Sequence, residues 1–179
     1  MIAHRRAALS LIVALAGFPT YGMAACTLPA GSQAPVLTLD VVDADRARNP
    51  PLIALFADGR MAVRAPSPQQ GTRAARLSAE DMRDLLAYVV EAEVFPSIES
   101  DAIQAALAAP GRTSGGIRID AVADAPNSFL TLALPGCAHS VTVSGSAFRA
   151  SARPDIDALQ RFRRIELRLL NLAVAVQTR

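Results

Sequence analysis

The chain has 179 residues, 51% hydrophobic, 4% aromatic and 19% charged, with 18 basic residues that are all Arg, 16 acidic ones, 2 His and 2 Cys. That size and apolar content suit one domain with its own core, and with no Trp the core must be aliphatic. Arg5 and Arg6 carry the formal excess of +2, since no acid lies before Asp40; the neutral remainder excludes nucleic-acid or anionic-membrane binding as a whole-molecule property.

The chain opens with a charged stretch and then AALSLIVALAGF, followed by Pro19 and small residues up to Ala25. A charged n-region, a short h-region and an A-x-A-like end read as a secretory signal peptide over residues 1–25, leaving 26–179 as the mature domain. The apolar run covers about 18 Å as a helix against a hydrocarbon core of about 30 Å, too short to span, so no transmembrane segment remains after cleavage.

Cys26 stands at the cleavage point, in MAAC. A lipobox usually has Leu three residues before its Cys, whereas Met23 occupies that place here, which favours ordinary cleavage. The mature chain then carries Cys26 and Cys137 in an oxidising compartment, where an even count favours a bridge. Lipidation of Cys26, giving a membrane-tethered lipoprotein, stays open as the alternative.

After a loose stretch to Pro35, APVLTLDVVD reads as a strand, and LIALFADGRMAVR as a hairpin turning at Asp58-Gly59. PSPQQGTRA reads as a loop. Ser78 is a helix N-cap with Glu80 and Asp81 in the first turn, and Met82, Leu85, Leu86, Val89 and Val90 give an amphipathic helix over 79–93. A short helix follows Ser100 and stops at Pro110-Gly111, and GRTSGG is a second loop.

IRIDAVA and SFLTLAL read as strands, Pro135-Gly136 as a turn, and CAHSVTVS as a returning strand. Pro154, Asp155 and Asp157 open a long helix with an apolar stripe through Phe162, Ile165, Leu169, Leu172 and Val176. The order strand, hairpin, helix thus occurs twice, over about 34–95 and 115–176. The expected fold is α+β, an antiparallel sheet with two main helices on one face.

The succession ADGR, LSAEDMRDLL, FPSI, ADAPNSFLTL and PDIDALQRFRRIE resembles a loose group of uncharacterised bacterial secreted proteins and lipoproteins with a DG hairpin before a helix. The resemblance spans roughly residues 50 to 170. It implies the fold and an exported location, and no activity or functional residue.

Residues that carry chemistry are scarce. His139 is the only histidine after the leader, which excludes multi-histidine zinc or iron sites within one chain. Without Lys there is no Schiff base or Ser-Lys dyad, and no G-x-S-x-G or P-loop pattern appears. Cys137 and His139 share one strand face and could hold a soft metal such as copper, although Val141 and Val143 mark that face as the core side. Asp40, Asp43 and Asp45 lack the Gly turn and terminal Glu of a calcium loop and read as solvated charges. Asp155 and Asp157 suit a helix N-terminus better than paired acid-base work.

Arg161, Arg164 and Arg168 form a stripe along the last helix that could dock an anionic lipid, glycan or acidic partner, but it reads better as an ordinary solvated face, turned toward the acidic first helix with Glu80, Asp81, Asp84, Glu91 and Glu93. These observations favour an exported, periplasmic or secreted, non-enzymatic protein without cofactor that binds a protein or envelope component. The alternative is a small extracytoplasmic metal-handling module using Cys137 and His139.

Overall fold

In a computed structural model, the described residues are 26–43, 45–109 and 125–178. The expected signal peptide, the GRTSGG loop and the strand IRIDAVA lie outside them.

Among the described residues, six strands form one antiparallel sheet: β1 Pro35–Val42, β2 Ile53–Phe56, β3 Arg60–Arg64, β4 Thr72–Arg76, β5 Asn127–Leu132 and β6 His139–Ser144, in the order β4-β3-β2-β1-β5-β6. Four α-helices accompany it among the described residues: α1 Ala79–Ala87, α2 Ser100–Ala108, α3 Ser146–Ala152 and α4 Asp157–Gln177. The α+β class follows directly.

Alternation along the strands decides which face is covered. The register Leu39↔Ile53, Ile53↔Val63, Leu39↔Leu130 and Leu130↔Val141 aligns aliphatic side chains on one face. All of these residues lie in one buried cluster with Met82, Leu85 and Val89 from the first helical segment and Leu159, Phe162, Ile165 and Leu169 from α4. Residues such as Thr38, Phe129 and Thr131 occupy the opposite face.

Local chemistry explains the turns and caps. Ser78 caps α1 by accepting a hydrogen bond from the Asp81 N–H at 3.0 Å. At the β2–β3 hairpin the Gly59 N–H bonds to the Phe56 carbonyl at 3.0 Å, so Ala57 and Asp58 form the bend and Gly59, at φ 82°, is the left-handed residue that follows. Pro135 and Gly136, the latter at φ 84°, fill the centre of a turn closed by Cys137 N–H to Leu134 carbonyl at 3.1 Å.

Several expectations need correction. The stretch expected to be loose after Arg64 ends in β4, an edge strand with little apolar signal because four of its five residues are exposed. The helix α3 lies between the expected strand and the expected last helix, in a stretch for which no element was expected. Its neighbour α4 begins at Asp157, not at Pro154, because Ile156 is still extended and serves as N-cap. The twofold repeat is not established: four strands precede α1, whereas the described part of the second half has two strands before α3 and α4.

Candidate functional site

The most chemically dense corner of the fold lies where α1 meets α4. After Ala87 the helix widens into a π-helical turn over Tyr88–Ala92, with the Glu93 N–H bonded five residues back to the Tyr88 carbonyl at 2.9 Å. Val94 then sits in the left-handed region at φ 47°, a strained setting for a β-branched residue. The fully buried Phe95 anchors the chain just beyond it, and the Ser97 N–H and hydroxyl bond the Val94 carbonyl at 2.9 and 2.8 Å. The wide turn and the strained residue together aim the buried Glu93 at α4.

Arg164 meets Glu93 in a two-pronged ion pair, Nε to Oε1 at 2.8 Å and Nη2 to Oε2 at 2.7 Å. One turn earlier, Arg161 donates through Nη1 to the Glu93 carbonyl at 3.3 Å and to Ser97 Oγ at 3.2 Å. Its Nε lies 2.9 Å from Asp157 Oδ2, but the N–H is not aligned for a hydrogen bond, so that contact is an ion pair only. One turn later, the Arg168 guanidinium stacks over the Tyr88 ring, 4.6 Å from its centroid. Sequence spacing had placed the three arginines on one stripe; Tyr88 was missed, because its partner lies across the fold.

The electrostatics follow from the contacts. The Arg164 hydrogen bonds hold the Glu93 carboxyl below its ordinary range, against the opposing effect of burial and with help from the Tyr88 hydroxyl. Burial, and then donation to Glu93, push the Tyr88 phenol above its ordinary value. Its hydrogen bonds to Glu93 raise Arg164 in turn. Glu93 pairs with Arg164 and Asp157 with Arg161. Arg164 keeps 51% of its side chain exposed while bonded to Glu93. Arg168 is exposed and stacks on Tyr88, and no hydrogen bond or ion pair within 4 Å engages its guanidinium among the described residues. A guanidinium fixed by its face with its N–H edge in water is arranged to receive an anionic group.

The Cys-His pair is otherwise engaged. Cys26 and Cys137 form a disulfide with their Cα atoms 5.5 Å apart. A sulfur in that bond neither carries a lipid nor donates to a metal as a thiolate. His139 Nε2 donates to the Ile98 carbonyl at 2.6 Å, and its ring meets Phe95 edge-on at 5.3 Å. Among the described residues, no cluster of three or more His, Cys, Asp or Glu side chains is placed to hold a metal ion. Cys137 and His139, the residues of the expected copper-type site, are thus held by a bridge sulfur and a backbone carbonyl.

Two further carboxylates are structural. Asp40, expected to be solvated, is 1% exposed and accepts from Arg64 Nη2 at 2.7 Å and from the Leu52 N–H at 3.1 Å, with the Arg48 N–H as a further donor. It ties the segment carrying Arg48 and Leu52 to the sheet. Glu166, at 1% exposure, accepts from Ser146 Oγ at 2.6 Å, from Arg163 Nη1 at 2.7 Å and from Ser128 Oγ. That cluster joins β5, α3 and α4, and its burial leaves the serine hydroxyls no access to a substrate.

Comparison with family models, with curated proteins and with solved structures gave no match to this chain.

Proposed function

We propose that this protein is an exported, disulfide-stapled binding domain without enzymatic activity, which docks an acidic protein surface on the Arg164–Arg168 corner. The carrying observation is Arg168, stacked on Tyr88 with its donor edge in water, one helical turn from the half-exposed Arg164. Support for a binding role comes from the chemistry-bearing side chains, which are occupied as struts: His139 on a carbonyl, Cys137 in the bridge, and Ser128 and Ser146 on Glu166. The leader at 1–25 and the disulfide support an oxidising, extracytoplasmic location. No helix among the described residues is long and apolar enough to cross a membrane.

The test is site-specific photo-crosslinking in the producing cells, with the reactive residue placed at the exposed Asn171, three positions beyond Arg168. A discrete protein adduct, weakened by salt and lost on Arg168→Glu, is the expected result. An adduct insensitive to Arg168→Glu, or equal labelling from the exposed Ser140 on β6, overturns the reading.

A further inference from the structure

The two edges of the sheet are treated differently. At β6 the outward N–H of Thr142 is taken by the Ser100 hydroxyl at 2.9 Å, and the His139 ring reaches the Ile98 carbonyl, so the segment entering α2 seals that edge. At β4 the ladder to β3 ends in Ala65 N–H to Gly71 carbonyl and Leu77 N–H to Gly59 carbonyl, both 2.9 Å. Antiparallel pairs alternate, so Gly71, Arg73, Ala75 and Leu77 turn their backbone groups toward β3. Thr72, Ala74 and Arg76 therefore turn theirs outward. All three are exposed.

We infer that the outer edge of β4 accepts an extended acidic segment of a partner protein as a seventh, antiparallel strand. Main-chain hydrogen bonds from Thr72, Ala74 and Arg76 supply the pairing, as in strand addition generally. The small side chains of Ala74 and Ala75 let another backbone approach. Charge selects the occupant: β3 and β4 carry Arg60, Arg64, Arg73 and Arg76 and no acidic residue. Asp58 offsets Arg60 at 2.7 Å and Asp40 offsets Arg64 at 2.7 Å. Arg73 donates to the Gln177 carbonyl, and Arg76, with 63% of its side chain exposed, donates to the Asp58 carbonyl at 2.9 Å and shares the Asp58 carboxylate with Arg60 at 3.7 Å, so one acidic group serves two arginines there. The edge keeps a positive excess, which opposes pairing with a second copy of β4; Arg73 shares the face of Val63 while Arg76 lies on the outer face with Ala74 and Thr72, so alternate Glu or Asp residues are favoured on the face of Arg76.

The test uses the full chain after residue 25 and three synthetic peptides: a heptapeptide alternating Glu with Val, its Lys-for-Glu counterpart, and the Glu peptide interrupted by Pro. Backbone amide shifts and hydrogen exchange at Thr72, Ala74 and Arg76 are the readout. The Glu peptide should slow exchange at those amides, while the Lys and Pro peptides should not. Ala74→Pro removes an outward N–H and no bond to β3, so it should keep the fold and weaken binding about tenfold or more. Arg76→Glu should transfer preference to the Lys peptide, a result that holds even if the proline variant does not fold. Equal binding of the Lys or Pro peptide, perturbation confined to the Arg168 corner, or pairing of the chain with itself through β4 overturns the inference.

Discussion

Arg164 and Glu93 are joined by two parallel hydrogen bonds, 2.8 and 2.7 Å long, across 71 residues of sequence. This pair fixes the π-helical turn to the last helix. Because the folded Glu93 carboxyl lies below its ordinary range, its contribution is present at neutral pH and is lost as pH falls through the folded value. Glu93→Gln should therefore cost about 2 kcal/mol at pH 7, and the gap to wild type should close progressively below about pH 4. Thermal or urea unfolding followed against pH measures it; a gap that persists unchanged into acid contradicts the assignment.

The Cys26–Cys137 bridge closes a loop with a sequence separation of 111. Intact mass of the native protein should rise by about two units on reduction, with no lipid increment on Cys26. Replacing both cysteines by Ser should lower stability by about 2–4 kcal/mol, through the freedom returned to the unfolded chain.

At the buried carboxylate, the hydroxyls of Ser128 and Ser146 and the Arg163 guanidinium converge on Glu166. Glu166→Ala strands these donors and should destabilise by about 3 kcal/mol or more, measured by urea unfolding. Ser128→Ala removes one donor and should cost about 1 kcal/mol.

Gly59 combines φ +82° with a close approach, since a Cβ there would meet the Leu77 carbonyl oxygen at 2.7 Å. Gly59→Ala should cost more than the usual exposed-turn change, about 1–3 kcal/mol, and should loosen the β3–β4 ladder first. Hydrogen exchange at Leu77, whose N–H bonds the Gly59 carbonyl, is the local readout.

Legibility tracked the range of the forces involved. The hairpin at Asp58-Gly59, the Ser78 cap and the α4 stripe were readable because each is set by neighbours within one or two turns. β4 and α3 were not. TRAAR has no alternating apolar signal, and its strand state comes from pairing with β3. The segment SAFRASA has no strong apolar stripe and is held through Ser146 on Glu166 and by Gln160 bonding the Ala150 carbonyl at 2.8 Å.

The sequence by itself determined the fold class, the aliphatic core, the two turns, the candidate cysteine pair and the arginine stripe. These rest on periodicity, backbone sterics and composition, which act locally. Only the tertiary structure decided that Asp40 and Glu166 are buried, which acidic residue meets Arg164, that Tyr88 lies under Arg168, and that among the described residues one sheet edge is sealed while the other is open. Those outcomes depend on contacts between residues far apart in the chain, where the cost of burying a charge is met by partners that no local pattern specifies.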